Sequence, residues 1–189
     1  MLFGKTERVA IYIDGSNTYN KLKVLGIPEE EKRFNYETFV THLIGARKLV
    51  SKRYYVGIVR NYDHSEKSEK LVRKQQQFLE RLRLTGFDIK PGKIMYDGIG
   101  RIREKGVDVK LAIDLVIGAA DNLYDTAIVI SSDTDLIPAI KYVLNGKKKK
   151  VEYVGFAGAP SLGMIKECSS QRLFAKEDLL RFQSLKEPK

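Results

Sequence analysis

The sequence predicts an α/β fold in which helices cover both faces of a mainly parallel sheet. Short β-branched runs alternate with longer segments of helical periodicity along the chain. Turn-forming residues separate these segments, and neither a linker nor an internal repeat interrupts the alternation. A chain of 189 residues has the usual size of one domain. We therefore expect a single domain over residues 1–189.

The first half of the chain contains three predicted strands and two predicted helices. The first strand, Val9–Ile13, is stopped by turn- and cap-forming residues in Asp14–Asn17. The longest helix is predicted over Ser65–Thr85, where apolar residues recur at helical spacing. The other elements of this half are a helix over Asn35–Ala46, a strand over Arg53–Val59 and a weaker strand over Phe87–Ile94, which Pro91-Gly92 interrupts.

The second half repeats the alternation. A turn over Asp97–Gly100 and a basic segment, Arg101–Lys105, lead to a strongly apolar helix over Asp108–Ala120. We expect two C-terminal helices, within 161–185, to pack on a core spanning about 9–155. The remaining predictions are strands over Ala127–Ile130 and Val151–Val154, a helix over Thr134–Leu144, and the two C-terminal helices over Ser161–Cys168 and Glu177–Leu185.

The composition excludes several classes of protein. Hydrophobic residues make up 43% of the chain, which is too much apolar surface for a disordered protein. Cys168 is the single cysteine, so an internal disulfide and a cysteine-based zinc site are both excluded. No apolar stretch approaches the ~20 residues that span a bilayer, and the N-terminal run lacks a signal-peptide pattern. The sequence thus predicts a soluble, cytoplasmic protein with no membrane partner.

The charge balance favours a polyanionic partner. The chain has 34 Lys and Arg against 24 Asp and Glu, which gives a net charge of +10. A basic excess of this size is typical of proteins that bind nucleic acid or an anionic membrane surface. The positions of the acidic residues against this background are therefore informative.

Acidic residues follow two of the predicted strands directly. Asp14 follows the first strand, and Asp133 and Asp135 follow the strand Ala127–Ile130. Functional sites of open α/β sheets lie beyond the carboxyl ends of the strands, so these carboxylates are expected to share one crevice. A few carboxylates are enough to hold Mg²⁺, and clustered like charges favour a cation. The alternative is that Asp14 and Asp133 only cap helices.

The predicted helix Asp108–Ala120 contains two further acids. Asp108 stands where the helix begins, so it can cap the helix and still face the crevice. Asp114 lies about 120° around the helix from Asp108 and cannot share its face. Because its neighbours are apolar, Asp114 requires a partner, either a metal or a neighbouring base or turn.

Three segments of the chain resemble the signature segments of the NYN domain, and more narrowly of its LabA-like branch within the PIN-like nuclease superfamily. They are Ile11–Asn17, Lys105–Asp114 and Ile130–Pro138, and their order and spacing are kept. The resemblance runs from about Val9 to Val154. One departure is Ser169–Phe174, where an acidic "A-D-x-F" pattern is more typical of the branch.

The resemblance implies a Rossmann-like three-layer α/β/α fold and a ribonuclease that depends on Mg²⁺ or Mn²⁺. Carried over by position, the metal ligands are Asp14, Asp108, Asp133 and Asp135, with Asp114 as an additional candidate. The same four aspartates and Asn17 form the implied catalytic set. Asn17 is neutral, so it can orient water or phosphate without adding charge.

Basic and aromatic residues near this crevice are the candidates for nucleic-acid contacts. We expect Arg60, Arg101, Arg103 and Lys105 to bind phosphates. Arg60 follows the second predicted strand, and the other three flank Asp108 on a glycine-rich loop. Base stacking is predicted for Tyr62, Tyr96 and Phe156. The basic run Lys147–Lys150 reads more simply as a tight turn between a helix and a strand.

Two functions fit these residues. The first is a metal-dependent ribonuclease that hydrolyses RNA phosphodiester bonds at the carboxylate cluster. The second is an RNA-binding or regulatory module with a vestigial, weakly active metal site, since a full set of acids does not by itself ensure turnover. RNA is the expected partner, while DNA as a substrate and a homo-oligomeric state are both left open. A phosphatase is disfavoured because Asp14-Gly15-Ser16 lacks the second aspartate of a D-x-D nucleophile motif.

Overall fold

The computed structural model describes residues 6–27, 34–61, 64–96 and 102–183. Its strands are β1 Arg8–Asp14, β2 Lys48–Ile58, β3 Asp88–Tyr96, β4 Ile102–Lys105, β5 Thr126–Ile130, β6 Lys150–Phe156 and β7 Ser170–Phe174. Its helices are α1 Gly15–Val24, α2 Tyr36–Ile44, α3 Glu66–Leu84, α4 Val107–Ala120, α5 Ile137–Lys141, α6 Leu162–Glu167 and α7 Lys176–Leu180. A 3₁₀ turn over Thr134–Leu136 precedes α5, and a π-helical turn over Tyr142–Gly146 follows it.

The strands of the described residues form one sheet with the order β4-β3-β2-β1-β5-β6-β7. Every neighbouring pair is parallel except β3 and β4. The predicted α/β fold with a mainly parallel sheet is therefore confirmed. The six parallel strands follow the order of a doubly wound Rossmann fold, in which the chain winds outward from the middle in both directions.

Strand β1 separates two hydrophobic layers, because successive side chains of a strand point to opposite faces. Val9, Ile11 and Ile13 are fully buried in the layer that contains α1, α2, α3 and α7. Ala10 and Tyr12 are buried in the layer that contains α4, α5 and α6. The alternation places Asp14 on the α4 side, at the carboxyl end of the strand.

Strands β3 and β4 form a hairpin that projects beyond the sheet. Asp14 pairs with Tyr55 of β2, which in turn pairs with Lys90 of β3. Strand β3 continues to Tyr96, which is about 20 Å further at ~3.3 Å per residue. Its last residues pair antiparallel with β4, from Lys93 opposite Lys105 onward. The predicted turn Asp97–Gly100 lies outside the described residues.

Helix α1 was not predicted from the sequence, which indicated a turn and a cap at its position. The helix begins immediately after β1, without a connecting loop, and it packs against β2. A Cβ on Gly15 would lie 2.6 Å from Tyr54 Cε1 and 2.7 Å from the Tyr55 carbonyl oxygen. Glycine at this position therefore allows the close approach of α1 to β2.

Strand β7 is also absent from the sequence prediction. It forms within Ser169–Phe174, pairs with β6 and extends the sheet. Its last residue, Phe174, packs edge-on against Phe39 and Phe182, so this segment is docked on the core without the acidic pattern. The final helix is shorter than predicted, Leu185 lies outside the described residues, and none of the described helices is long and apolar enough to cross a membrane.

Candidate metal centre

The neighbouring strands β1 and β5 end at the point where the sheet order reverses. The chain runs from β1 outward through β2 and β3, and it then crosses to β5 on the other side of β1. In open α/β sheets this switch point opens a crevice at the carboxyl ends of the strands. The crevice lies between Asp14, the last residue of β1, and Ser131, the first residue after β5.

Asp14 is held in one orientation by hydrogen bonds. Its Oδ1 accepts from the backbone N–H of Asn17 at 3.0 Å, which caps α1. Its Oδ2 accepts from the Ser131 hydroxyl at 2.9 Å. The side chain is 9% exposed. Asp14 thus performs the capping role that the sequence offered as an alternative, and it also faces the crevice.

Asn17 and Ser131 join the two loops of the crevice. The side-chain amide oxygen of Asn17, Oδ1, accepts from the backbone N–H of Ser132 at 3.1 Å. The Ser131 hydroxyl donates to Asp14 and accepts from the backbone N–H of Asp133 at 3.2 Å. These bonds fix the loop after β5 relative to the start of α1. Asn17 is therefore a positioning residue of the crevice.

Asp108, Asp133 and Asp135 form a carboxylate triad. Each offers one oxygen, and these oxygens all lie within 4.8 Å of one another. Asp108 and Asp133 are half-buried, whereas Asp135 is exposed, so the triad opens to solvent on its Asp135 side. Among the described residues, Asp14 is not part of this close set. The Ser131 hydroxyl links it by hydrogen bonds to the backbone N–H of Asp133.

Local backbone geometry brings the members of the triad together. Gly106 has φ +78° and allows the chain to turn from β4 into α4, whose second residue is Asp108. Asp133 accepts a hydrogen bond from the backbone N–H of Asp135 at 2.9 Å and thereby caps the 3₁₀ turn. The two residues are consequently held side by side opposite the first turn of α4.

The triad fits a hard divalent cation. Carboxylate oxygens are the ligands that Mg²⁺ and Mn²⁺ prefer. Oxygens on opposite sides of a Mg²⁺ ion stand about 4.2 Å apart, because each Mg–O distance is about 2.1 Å. Oxygens that lie within 4.8 Å of one another require only small side-chain adjustments to share one ion. Three like charges at this separation repel each other, and a cation relieves that repulsion.

Asp114 lies away from the triad and belongs to a polar network under α4. Its Oδ2 accepts from the Tyr55 hydroxyl at 2.8 Å and lies 3.4 Å from Arg53 Nη1. Burial, followed by the hydrogen bond to Asp114, raises the pKa of Tyr55, so this tyrosine stays a neutral donor. Asp114 therefore has the neighbouring base that the sequence offered as the alternative to a metal.

The predicted nucleic-acid contacts that the structure describes lie on the β2–β3–β4 side of the crevice. Arg60 is exposed just beyond the carboxyl end of β2. Lys105 is exposed at the end of β4, opposite Lys93 on β3. Arg103 is placed in β4 opposite Met95, and its side chain is outside the described part of the structure. Arg101 lies outside the described residues altogether.

Of the three aromatic residues predicted to stack on bases, the structure describes the side chain of Phe156. Phe156 is 2% exposed within the core, so the expectation that it stacks on bases is wrong. The alternation of apolar residues along β6 places it inside the layer of α1 and α2. Tyr62 and the side chain of Tyr96 lie outside the described residues.

The basic run Lys147–Lys150 lies at the opposite edge of the sheet, where Lys147–Lys149 precede β6 and Lys150 is its first residue. Lys149 is 3.6 Å from Asp125, and Lys150 is 3.5 Å from Glu7. These contacts agree with the interpretation of the run as a connecting turn.

Comparisons with known proteins agree with this architecture. The family model of the NYN domain matches residues 8–173. No curated protein matches the chain. Among solved structures, the chain is similar to the crystal structure of a protein of unknown function from Vibrio parahaemolyticus, with a TM-score of 0.71 and 22% identity. That alignment covers 97% of this chain and 100% of the other, and at this identity it shows the fold alone. The family match spans most of the chain and includes the whole triad, and the chain therefore belongs to the NYN domain family.

Proposed function

We propose that this protein is a metal-dependent ribonuclease whose catalytic ion is held by Asp108, Asp133 and Asp135. The observation that carries the proposal is the convergence of these carboxylates at the switch point of the sheet. NYN domains belong to a nuclease-like superfamily, so hydrolysis of a phosphodiester is the chemistry in keeping with the family. The narrower assignments, to RNA and to Mg²⁺ or Mn²⁺, are part of the proposal.

The roles of the protein residues follow from their positions. When bound, a divalent ion supplies positive charge that polarises the scissile phosphate and lowers the pKa of the attacking water. Asp108, Asp133 and Asp135 hold that ion, and the exposed side at Asp135 is where the substrate phosphate approaches. Asp14, held by Asn17 and Ser131, adds a fixed negative charge to the crevice, and Asn17 keeps the two loops in register.

Basic residues explain how an RNA chain reaches an acidic triad. The hairpin of β3 and β4 brings Lys93 and Lys105 level with Ile58, the last residue of β2, and Arg60 stands just beyond that end. Lysine and arginine contacts to phosphate provide affinity without base identity. We assign the phosphate path to this side of the crevice, with Arg101 and Arg103 of the hairpin sequence as further contacts.

One observation favours the second candidate, an RNA-binding module with weak activity. Both oxygens of Asp14 accept hydrogen bonds, from Asn17 and from Ser131, and the residue stands outside the close set of carboxylates. A site with three ligands in place of four holds its ion less tightly. This candidate predicts RNA binding that is normal and turnover that is slow even at saturating Mn²⁺.

The decisive experiment is incubation with labelled RNA and with DNA of matched sequence in Mg²⁺, Mn²⁺ or EDTA. A metal-dependent ribonuclease cleaves RNA in Mg²⁺ or Mn²⁺ and does not cleave it in EDTA. The variant Asp133→Asn abolishes cleavage, whereas the matched control Glu80→Gln retains it, because Glu80 is exposed on α3 and contacts Arg83. Cleavage by Asp133→Asn at the wild-type rate refutes the assignment. RNA binding with slow or no cleavage at saturating Mn²⁺ favours the second candidate.

A further inference from the structure

Helix α4 exposes apolar side chains along its outer face. Val109, Ile113 and Ile117 follow one another at four-residue spacing and are 55%, 50% and 48% exposed. Each residue advances about 100° around the helix axis, so the three form one narrow stripe. The opposite side of the helix buries Leu111 and Leu115 against the sheet. An apolar stripe on the outer face of a helix whose opposite side is already buried is normally covered by a second surface.

The stripe extends over the whole length of α4. Val116 and Ala120 lie beside it, and Leu123, which is 48% exposed, follows the end of the helix. Lys110 follows Val109 directly, and its Nζ donates a hydrogen bond to the Pro91 carbonyl oxygen of β3. That bond draws the charge of Lys110 away from the stripe. A continuous apolar surface of this kind marks a protein interaction site.

We infer that α4 forms the interface of a homodimer in which two α4 helices pack antiparallel across a two-fold axis at Ile113. The two-fold rotation brings the stripe of one copy onto the same stripe of the other. Val109 and Ile117 lie at equal distances on either side of Ile113, so Val109 of one copy meets Ile117 of the other. A two-fold interface requires this kind of match, in which one patch contacts its own copy.

The charges at the two ends of α4 are complementary in the same register. Lys105 and Asp121 are each eight residues from Ile113, one before the helix and the other at its C-terminal cap, and both are exposed. The antiparallel arrangement brings the N-terminal end of α4 in one copy, where Lys105 ends β4 just before Gly106, to the C-terminal end of α4 in the other copy, where Asp121 lies. Symmetry repeats this meeting of opposite charges. It also sets the negative end of each helix dipole near the positive end of its partner. These pairings select a second copy as the occupant.

The arrangement suits a chain with a net charge of +10. Two such chains repel each other over most of their surfaces, and the uncharged stripe is a face on which they meet at low electrostatic cost. Asp108 lies about 140° around α4 from Ile113, so the interface leaves the carboxylate triad accessible. Dimerisation through the stripe does not require the proposed nuclease activity. Lys105 is shared with the proposed phosphate path, so its variant is assessed by sedimentation and not by RNA cleavage.

Sedimentation velocity of the full chain, at protein concentrations up to about 100 μM, tests the inference. The wild type is expected to sediment at twice the 21.5 kDa chain mass. Ile113→Glu places two like charges on the axis and is expected to weaken dimerisation by about 100-fold or more. Leu84→Glu is the matched control, since Leu84 is 79% exposed on α3 in the other layer and its replacement leaves the dimer intact. Circular dichroism confirms that each variant is folded.

A charge exchange tests the register. Lys105→Glu and Asp121→Lys are each expected to weaken the dimer by about tenfold, and the double variant to restore it. A wild type that stays monomeric at every concentration overturns the inference and leaves the stripe to a different protein partner. A folded Ile113→Glu variant that dimerises like the wild type overturns it as well. Failure of the double variant to recover overturns the antiparallel register.

Discussion

Replacing Asp133 by asparagine should stabilise the metal-free protein. The side chain keeps its volume, and asparagine caps a helical turn as well as aspartate does, so the hydrogen bond from the Asp135 N–H persists. The change removes one charge from a triad whose oxygens lie within 4.8 Å of one another. The substitution therefore separates the electrostatic role of Asp133 from its structural role.

The magnitude follows from Coulomb's law. Two unit charges 4.8 Å apart repel by about 0.9 kcal/mol in water and by about 3.5 kcal/mol at an effective permittivity of about 20. Asp133 takes part in two such pairs, with Asp108 and with Asp135, and these groups are half-buried to exposed. With screening by salt, we expect the free energy of unfolding to rise by about 1–3 kcal/mol in EDTA.

Urea denaturation in EDTA, and again in saturating Mn²⁺, measures the effect. In EDTA the Asp133→Asn protein should be more stable than the wild type. In Mn²⁺ this advantage should shrink by about 1.4 kcal/mol or more, because tenfold tighter binding of the ion adds that much to the stability of the intact triad. Glu80→Gln should shift stability by less than about 0.5 kcal/mol in both conditions. A metal-free Asp133→Asn protein that is less stable than the wild type refutes the reasoning.

Two further predictions concern the opposite edge of the sheet and the RNA path. A hydrogen bond from the Arg8 guanidinium lowers the pKa of Asp125, so its stabilising contribution is present above the ordinary aspartate range and is lost as pH falls through the lowered value. Asp125→Asn should therefore lower the free energy of unfolding, measured by urea denaturation, by about 1–3 kcal/mol at pH 7 and by much less at pH 2. An equal loss of stability at both pH values contradicts the ion pair. Replacing Arg101 and Arg103 together by alanine should weaken RNA binding in Ca²⁺ for all sequences and reduce the log–log salt slope by about 0.7 per lost contact. The same change in Lys147–Lys150 should have less effect, and an unchanged slope in the double variant would place the path elsewhere.

The sheet and the acids at its strand ends could be predicted from the sequence, because both depend on the local pattern of apolar and turn-forming residues. Val9–Ile13 is a β-branched run, and parallel strands that alternate with helices bring their carboxyl ends to one edge. The positions of Asp14 and Asp133 in a common crevice follow from this topology. Their side-chain partners do not, since the bond from the Ser131 hydroxyl to Asp14 depends on a register between strands far apart in sequence.

The elements that the sequence interpretation missed owe their structure to distant contacts. Helix α1 begins in a cap sequence that also forms turns, and what decides between them is the fit of Gly15 against Tyr54 of β2. Strand β4 is short and basic, and it exists as a partner of β3. Strand β7 similarly depends on β6. Edge strands of this kind lack a strong local signal, because their pairing supplies the order.

Asp114 shows the same limit at the level of one residue. Its apolar neighbours on α4 correctly indicated that the carboxylate requires a partner. The partners are Tyr55 and Arg53, both on β2, and nothing in the local sequence names them. Phe156 is the converse case, since an aromatic residue near a strand end looks like a stacking platform until the sheet buries it.

Manganese binding to the purified chain, followed by electron paramagnetic resonance, tests the central claim most directly. The account predicts that the wild type binds Mn²⁺ and that Asp108→Asn and Asp133→Asn each weaken binding by about tenfold or more, because each removes one charged ligand of the triad. Glu80→Gln should bind as the wild type does. Wild-type affinity in both triad variants, or no binding by the wild type itself, would contradict the assignment of the triad as the metal site.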